Sequence, residues 1–131
     1  MPTLLLVDDD DLVRPVAAAI VGELGYTVLE AASGEAALEV LRGPHAIDVL
    51  MTDLAMPGMG GMELALVAQS VRPNLPVLYT SAYFRDAEGH PALRFGRFLQ
   101  KPWRLSELRV ALEELLAATS RGGRSDEPGA L

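Results

Sequence analysis

The stretch Leu4-Leu5-Leu6-Val7-Asp8-Asp9-Asp10-Asp11 decides how this chain is read, because an unbroken apolar run passes straight into an unbroken acidic one. The apolar part is far too short for a signal-peptide core or for the roughly 20 residues of a membrane span. Apolar side chains on successive positions, rather than on alternate ones, suit a strand covered on both faces. The design recurs along the chain. Val49-Leu50-Met51-Thr52 runs into Asp53, Val77-Leu78-Tyr79 into Thr80-Ser81, and Arg97–Gln100 into Lys101-Pro102.

The predicted strands are Thr3–Val7, Thr27–Glu30, Ile47–Thr52, Val77–Thr80 and Arg97–Gln100. Helical periods lie between them. Val13, Val16, Ala17, Ile20 and Leu24 form one stripe, with Asp10 or Asp11 as its N-cap and Gly25 as its stop. Pro15 falls in the first turn or just past it, where a missing N–H costs little. Ser33 caps a second helix that runs through Leu41 and ends at Gly43-Pro44. Leu64, Val67, Ala68 and Val71 mark a third, closed by Pro73, and Leu105, Leu108, Leu112, Leu115 and Leu116 mark the last. Between residues 82 and 96 periodicity fades around Gly89, His90 and Pro91, so the fourth helix is expected to be short or irregular. Strand–helix alternation of this kind predicts an α/β fold, a single doubly wound parallel sheet of five strands with helices on both faces. The domain is expected to occupy residues 1–119. Residues 120–131, rich in Gly, Ser, Pro and charge, are expected to be a disordered tail.

Composition bounds the function. At 131 residues the chain holds one domain, and its 50% apolar content is enough for a proper core. A net charge of −7 argues against nucleic acid or an anionic membrane as the main partner. The absence of cysteine excludes disulfides and thiolate chemistry and fits a soluble, cytoplasmic protein.

In open parallel sheets, function sits at the carboxyl ends of the strands, near the point where strand order reverses. Here those ends carry Asp8 and Asp9, then Asp53, Thr80-Ser81 and Lys101. Two carboxylates about 4 Å apart repel by roughly 1 kcal/mol in water and by several times more at lower dielectric. Three of them need a cation, or one must hold a proton. Hard oxygen ligands with few protein contacts suit Mg²⁺, and nothing resembles the spaced ligands of a calcium loop.

Taken together, LLLVDDDD at 4–11, VLMTDLAMPGMGG at 49–61, PVLYTSA at 76–82 and FLQKP at 98–102 make the chain resemble the receiver domain of two-component response regulators over about residues 1–119. The resemblance implies the (βα)5 receiver fold, with five parallel strands and five helices. It implies Asp53 as phosphoacceptor, supplied by a histidine kinase or phosphotransfer protein. It further implies Mg²⁺ held by Asp9, Asp53 and the backbone carbonyl of Ala55, with Asp8 acting mainly through a water on the ion. Ser81 would donate its hydroxyl to a phosphoryl oxygen, and Lys101 would pair first with the aspartate and then with the phosphoryl group. Phe98 takes the place of a switch aromatic, often tyrosine in the family, and so lacks that hydroxyl. A cis peptide before Pro102 is implied as well.

On this reading the protein is a phosphorylatable signalling switch rather than an enzyme. It would stand alone, although a fragment of a larger hybrid kinase would look the same, and act on a downstream protein target, with a weak homodimer among its contacts. Two rivals compete with it. One is a pseudo-receiver that binds partners without phosphorylation, against which the complete site set argues. The other is a phosphatase-type hydrolase, which would want an Asp-x-Asp-x-Thr loop and a cap domain. Asp10 and Asp11 read as caps or solvated charges, His45 and His90 as surface residues, and Met51, Met56, Met59, Met62 and Trp103 as packing.

Overall fold

In the computed structural model, residues 1–81 and 96–125 are described, with side chains through residue 118. The elements follow in the order β1 (Thr3–Val7), α1 (Val13–Glu23), β2 (Thr27–Ala31), α2 (Gly34–Arg42), β3 (Val49–Asp53), α3 (Gly61–Val71), β4 (Val77–Ser81), β5 (Gly96–Gln100) and α4 (Leu105–Ser125). All strands are parallel, and the sheet order is β2-β1-β3-β4-β5. The strand order reverses between β1 and β3, which places the crevice of a doubly wound sheet at their carboxyl ends.

The apolar runs are buried on both faces, as consecutive hydrophobic positions require. Leu5, Val7, Leu50, Val77 and Tyr79 pack under α2 and α3, through Leu38, Leu41, Leu64, Ala65 and Ala68. On the opposite face Leu4, Leu6, Val49, Met51, Leu78 and Leu99 pack against Ala17 and Val21 of α1 and Leu108, Ala111, Leu112 and Leu115 of α4. At about 25 cal/mol per Å² of apolar surface, these two layers are the main source of stability.

Local signals set the element ends. The Ser33 hydroxyl accepts a hydrogen bond from the Ala36 N–H at 3.0 Å, capping α2. Gly25 follows α1 at a φ of 101°, a left-handed turn that favours glycine. The stripe expected for α1 needs correcting: Val13 and Val16 are exposed, and Ala17, Ile20, Val21 and Leu24 make the packed face instead. α4 continues to Ser125, past the domain end expected at 119 and through the first part of the expected tail. The expected fourth helix at 82–96 and the end of the tail lie outside the described residues, Gly96 excepted, which opens β5. Among the described residues, no helix is long and apolar enough to cross a membrane.

Candidate functional site: an acidic cluster at the strand ends

Asp8 follows β1 directly, and its backbone N–H donates to the Ala31 carbonyl at 3.2 Å, extending the sheet by one bond before the chain turns away. The Asp8 carboxylate is buried and its Oδ1 accepts from the Asp10 N–H at 2.9 Å. Asp9 is exposed beside it. Asp53 is the last residue of β3 and half-buried, and the chain then turns through Leu54, whose N–H donates to Thr80 at 2.9 Å. One carboxylate oxygen from each of Asp8, Asp9 and Asp53 lies within 4.8 Å of the others.

A cation already faces this cluster. The Lys101 ammonium sits 3.4 Å from Asp8 Oδ2 and 3.4 Å from Asp53 Oδ2. Its backbone is fixed by an N–H donated to the Ser81 carbonyl at 2.8 Å, and the Lys101–Pro102 peptide is cis. Burial pushes the Asp53 carboxyl above its ordinary value, Lys101 pulls it down, and the charges of Asp8 and Asp9 push it up again. One ammonium shared between two carboxylates leaves the cluster negative, and hard oxygen donors this close together could hold a small divalent ion.

The remaining residues of the expected set fall around this rim to different degrees. Ser81 is buried at the end of β4, one position past Thr80, which is Asp53's register partner. Ala55 lies two residues past Asp53, at the exposed start of the loop. Phe98 stands in register with Tyr79, partly buried against the α2–α3 layer rather than within the acidic cluster. Met51 is buried, Met56, Met59 and Met62 pack against the α2–α3 layer, and Trp103 packs against the other.

Asp10 fills the capping role expected of it or Asp11, whereas Gly61 and Arg14 have roles that sequence reasoning did not assign. Asp10 Oδ1 accepts from the Leu12 and Val13 N–H groups at 2.9 and 3.2 Å, so its carboxylate caps α1 from two residues outside the N-cap position. Those two bonds hold the Asp10 carboxyl below its ordinary value. Gly61 opens α3 so close to β3 that a Cβ there would lie 2.3 Å from the Asp53 carbonyl oxygen. Arg14, in the first turn of α1, donates to the Asp8 carbonyl at 2.8 Å. An acid-run cap could be anticipated from composition, and a pair of residues three apart such as Asp11 and Arg14 from spacing. The backbone contacts of Gly61 and Arg14 arise only where α3 turns back on the end of β3 and α1 on the end of β1.

The family profile for the response regulator receiver domain matches residues 4–113. The response regulator receiver protein CpdR of Brucella abortus is 31% identical over 120 residues, covering 90% of this chain and 99% of CpdR. The sensor kinase CckA of the same organism is 37% identical over 118 residues, covering 87% of this chain, which spans 12% of that kinase's length. Among solved structures, the response regulator protein TrrA from Thermotoga maritima, in complex with Mg²⁺-BeF, aligns with a TM-score of 0.80 at 25% identity, over 88% of this chain and all of TrrA.

Proposed function

The chain belongs to the response regulator receiver domain family of two-component systems, and on that premise we propose that it takes a phosphoryl group from a histidine kinase or phosphotransfer protein onto Asp53, in the cytoplasm. The observation that carries this reading is the meeting of three carboxylates within 4.8 Å, with the Lys101 ammonium 3.4 Å from two of them.

In the proposed reaction a carboxylate oxygen of Asp53 attacks the phosphorus of a phosphohistidine. The P–N bond breaks as the O–P bond forms, leaving an acyl phosphate on Asp53; the bonding pair returns to the departing ring nitrogen, and the histidine leaves neutral because its other ring nitrogen carries a proton. Burial pushes the Asp53 carboxyl above its ordinary value, and Lys101 counters this by favouring the ionised form that attacks. The donor set suits Mg²⁺, which Asp9, Asp53 and the Ala55 carbonyl would hold, with Asp8 acting mainly through a water, and which would supply positive charge against the phosphoryl oxygens. Lys101 leaves Asp53 for the incoming group without leaving Asp8, and Ser81 donates its hydroxyl to the same group. The phosphoryl group adds close to two negative charges, and Phe98 turns into the space vacated as Ser81 is drawn toward it. The signal then passes by protein contact.

Incubation with a small-molecule phosphodonor and Mg²⁺, followed by intact mass, tests the assignment. The wild type should gain a single phosphoryl group and Asp53→Asn none; equal labelling of both would remove Asp53 as the acceptor.

A further inference from the structure

Arg14 has little free surface for a residue whose obvious partner is solvated. Its side chain is 15% exposed, whereas the Asp11 carboxylate it meets at 2.8 Å is 81% exposed. An exposed ion pair contributes about 1 kcal/mol at most, and it does not explain why the guanidinium is drawn inward. Two further contacts do. Nη1 donates to the Asp8 backbone carbonyl at 2.8 Å, and Nε lies 3.4 Å from Glu30 Oε1 on β2. One planar fork thus joins α1, the acidic loop and the neighbouring strand, a task the single ammonium of lysine does not reproduce.

The consequence falls on Asp8 and Asp9. The Asp8 peptide is held at its N–H by the Ala31 carbonyl and at its own carbonyl by Arg14. The Asp8 carboxylate is turned by the Asp10 N–H. With both ends of the residue fixed, the direction in which the chain leaves β1 is fixed, and with it the side chain of Asp9. Groups that orient metal ligands without touching the metal commonly change affinity by about 10- to 100-fold.

We propose that Arg14 is a positioning residue for the metal-binding acids, clamping the Asp8–Asp11 loop in the shape that brings Asp8 and Asp9 to Asp53. The proposal rests on the acidic cluster being an Mg²⁺ site. Charge alone argues the opposite outcome for a mutation. A nearby guanidinium repels a divalent cation, so its removal should tighten Mg²⁺ binding if Arg14 acts only through its field.

The test is an Mg²⁺ titration of the full chain, followed by calorimetry and by Trp103 fluorescence, well below the melting temperature of each variant. Arg14→Ala should bind Mg²⁺ about tenfold more weakly than wild type despite losing a positive charge. Arg14→Lys, which keeps the charge and loses the fork, should also weaken binding, and it decides the matter if the alanine variant does not fold. Binding equal to or tighter than wild type in Arg14→Lys overturns the clamp while leaving the metal site standing. An absence of Mg²⁺ uptake by the wild type overturns both.

Discussion

Asp53 is pulled two ways: burial and its acidic neighbours favour the protonated form, while Lys101 favours the ionised one. The net direction is upward, which gives stability a definite pH dependence. Because the folded state holds this proton to higher pH than the unfolded chain does, stability falls as pH rises from the ordinary carboxylate value through the raised one. Above that window the loss is complete. Asp53→Asn removes the ionisation, so without Mg²⁺ at neutral pH it should melt above wild type. The gap should close on acidification to about pH 4. Thermal melts across that range check this, and a variant less stable than wild type at neutral pH would contradict it. Lys101 tests the same balance from the other side. Lys101→Ala removes the competing cation, so Mg²⁺ binding should tighten by on the order of fivefold, while the Trp103 response to phosphodonor is blunted. Weaker Mg²⁺ binding would contradict the assignment. The positions of Asp8, Asp9, Asp53 and Lys101 were legible because each stands at the end of a predicted strand. Arg14 was not, since its decisive partner is a backbone carbonyl and no side-chain pattern encodes that.

At the scale of elements, the junction of β3 with α3 tolerates least. Gly61 donates its N–H to the Leu54 carbonyl at 2.9 Å, and its Cα lies against the Asp53 peptide. A methyl group there has nowhere to go, because the obstacle is backbone rather than the end of a flexible side chain. Gly61→Ala should cost about 1–3 kcal/mol in urea unfolding and should slow labelling of Asp53, since relief comes only by moving the residue that labels. Unchanged stability together with unchanged labelling would contradict this packing. The strands were legible almost residue by residue, as their apolar runs have no competing period. Helix phase was less so. For α1 the spacing of Val13, Val16, Ala17, Ile20 and Leu24 suits a helix stripe, but the sheet selects the face of Ala17, Ile20, Val21 and Leu24. Which of two overlapping stripes is buried is decided by tertiary contact, not by periodicity.

At the scale of the whole molecule, topology does what no single motif does. The order β2-β1-β3-β4-β5 sets the end of β1 beside the end of β3, so acids more than forty residues apart in sequence meet at one rim. The two buried layers hold that rim in place while leaving Asp9 exposed and Asp53 half-buried. A switch built on it must move the population by about 5 kcal/mol to pass from mostly inactive to mostly active. If divalent metal and nucleophile share this rim, the residue that becomes modified is Asp53, and it can be located chemically. The protein is treated with a phosphodonor, with Mg²⁺ or with a chelator, then reduced with borohydride and mapped by peptide mass. Homoserine is expected at position 53 alone, in the Mg²⁺ sample and not in the chelated one. Reduction at another residue, or equal yield without the metal, would contradict it.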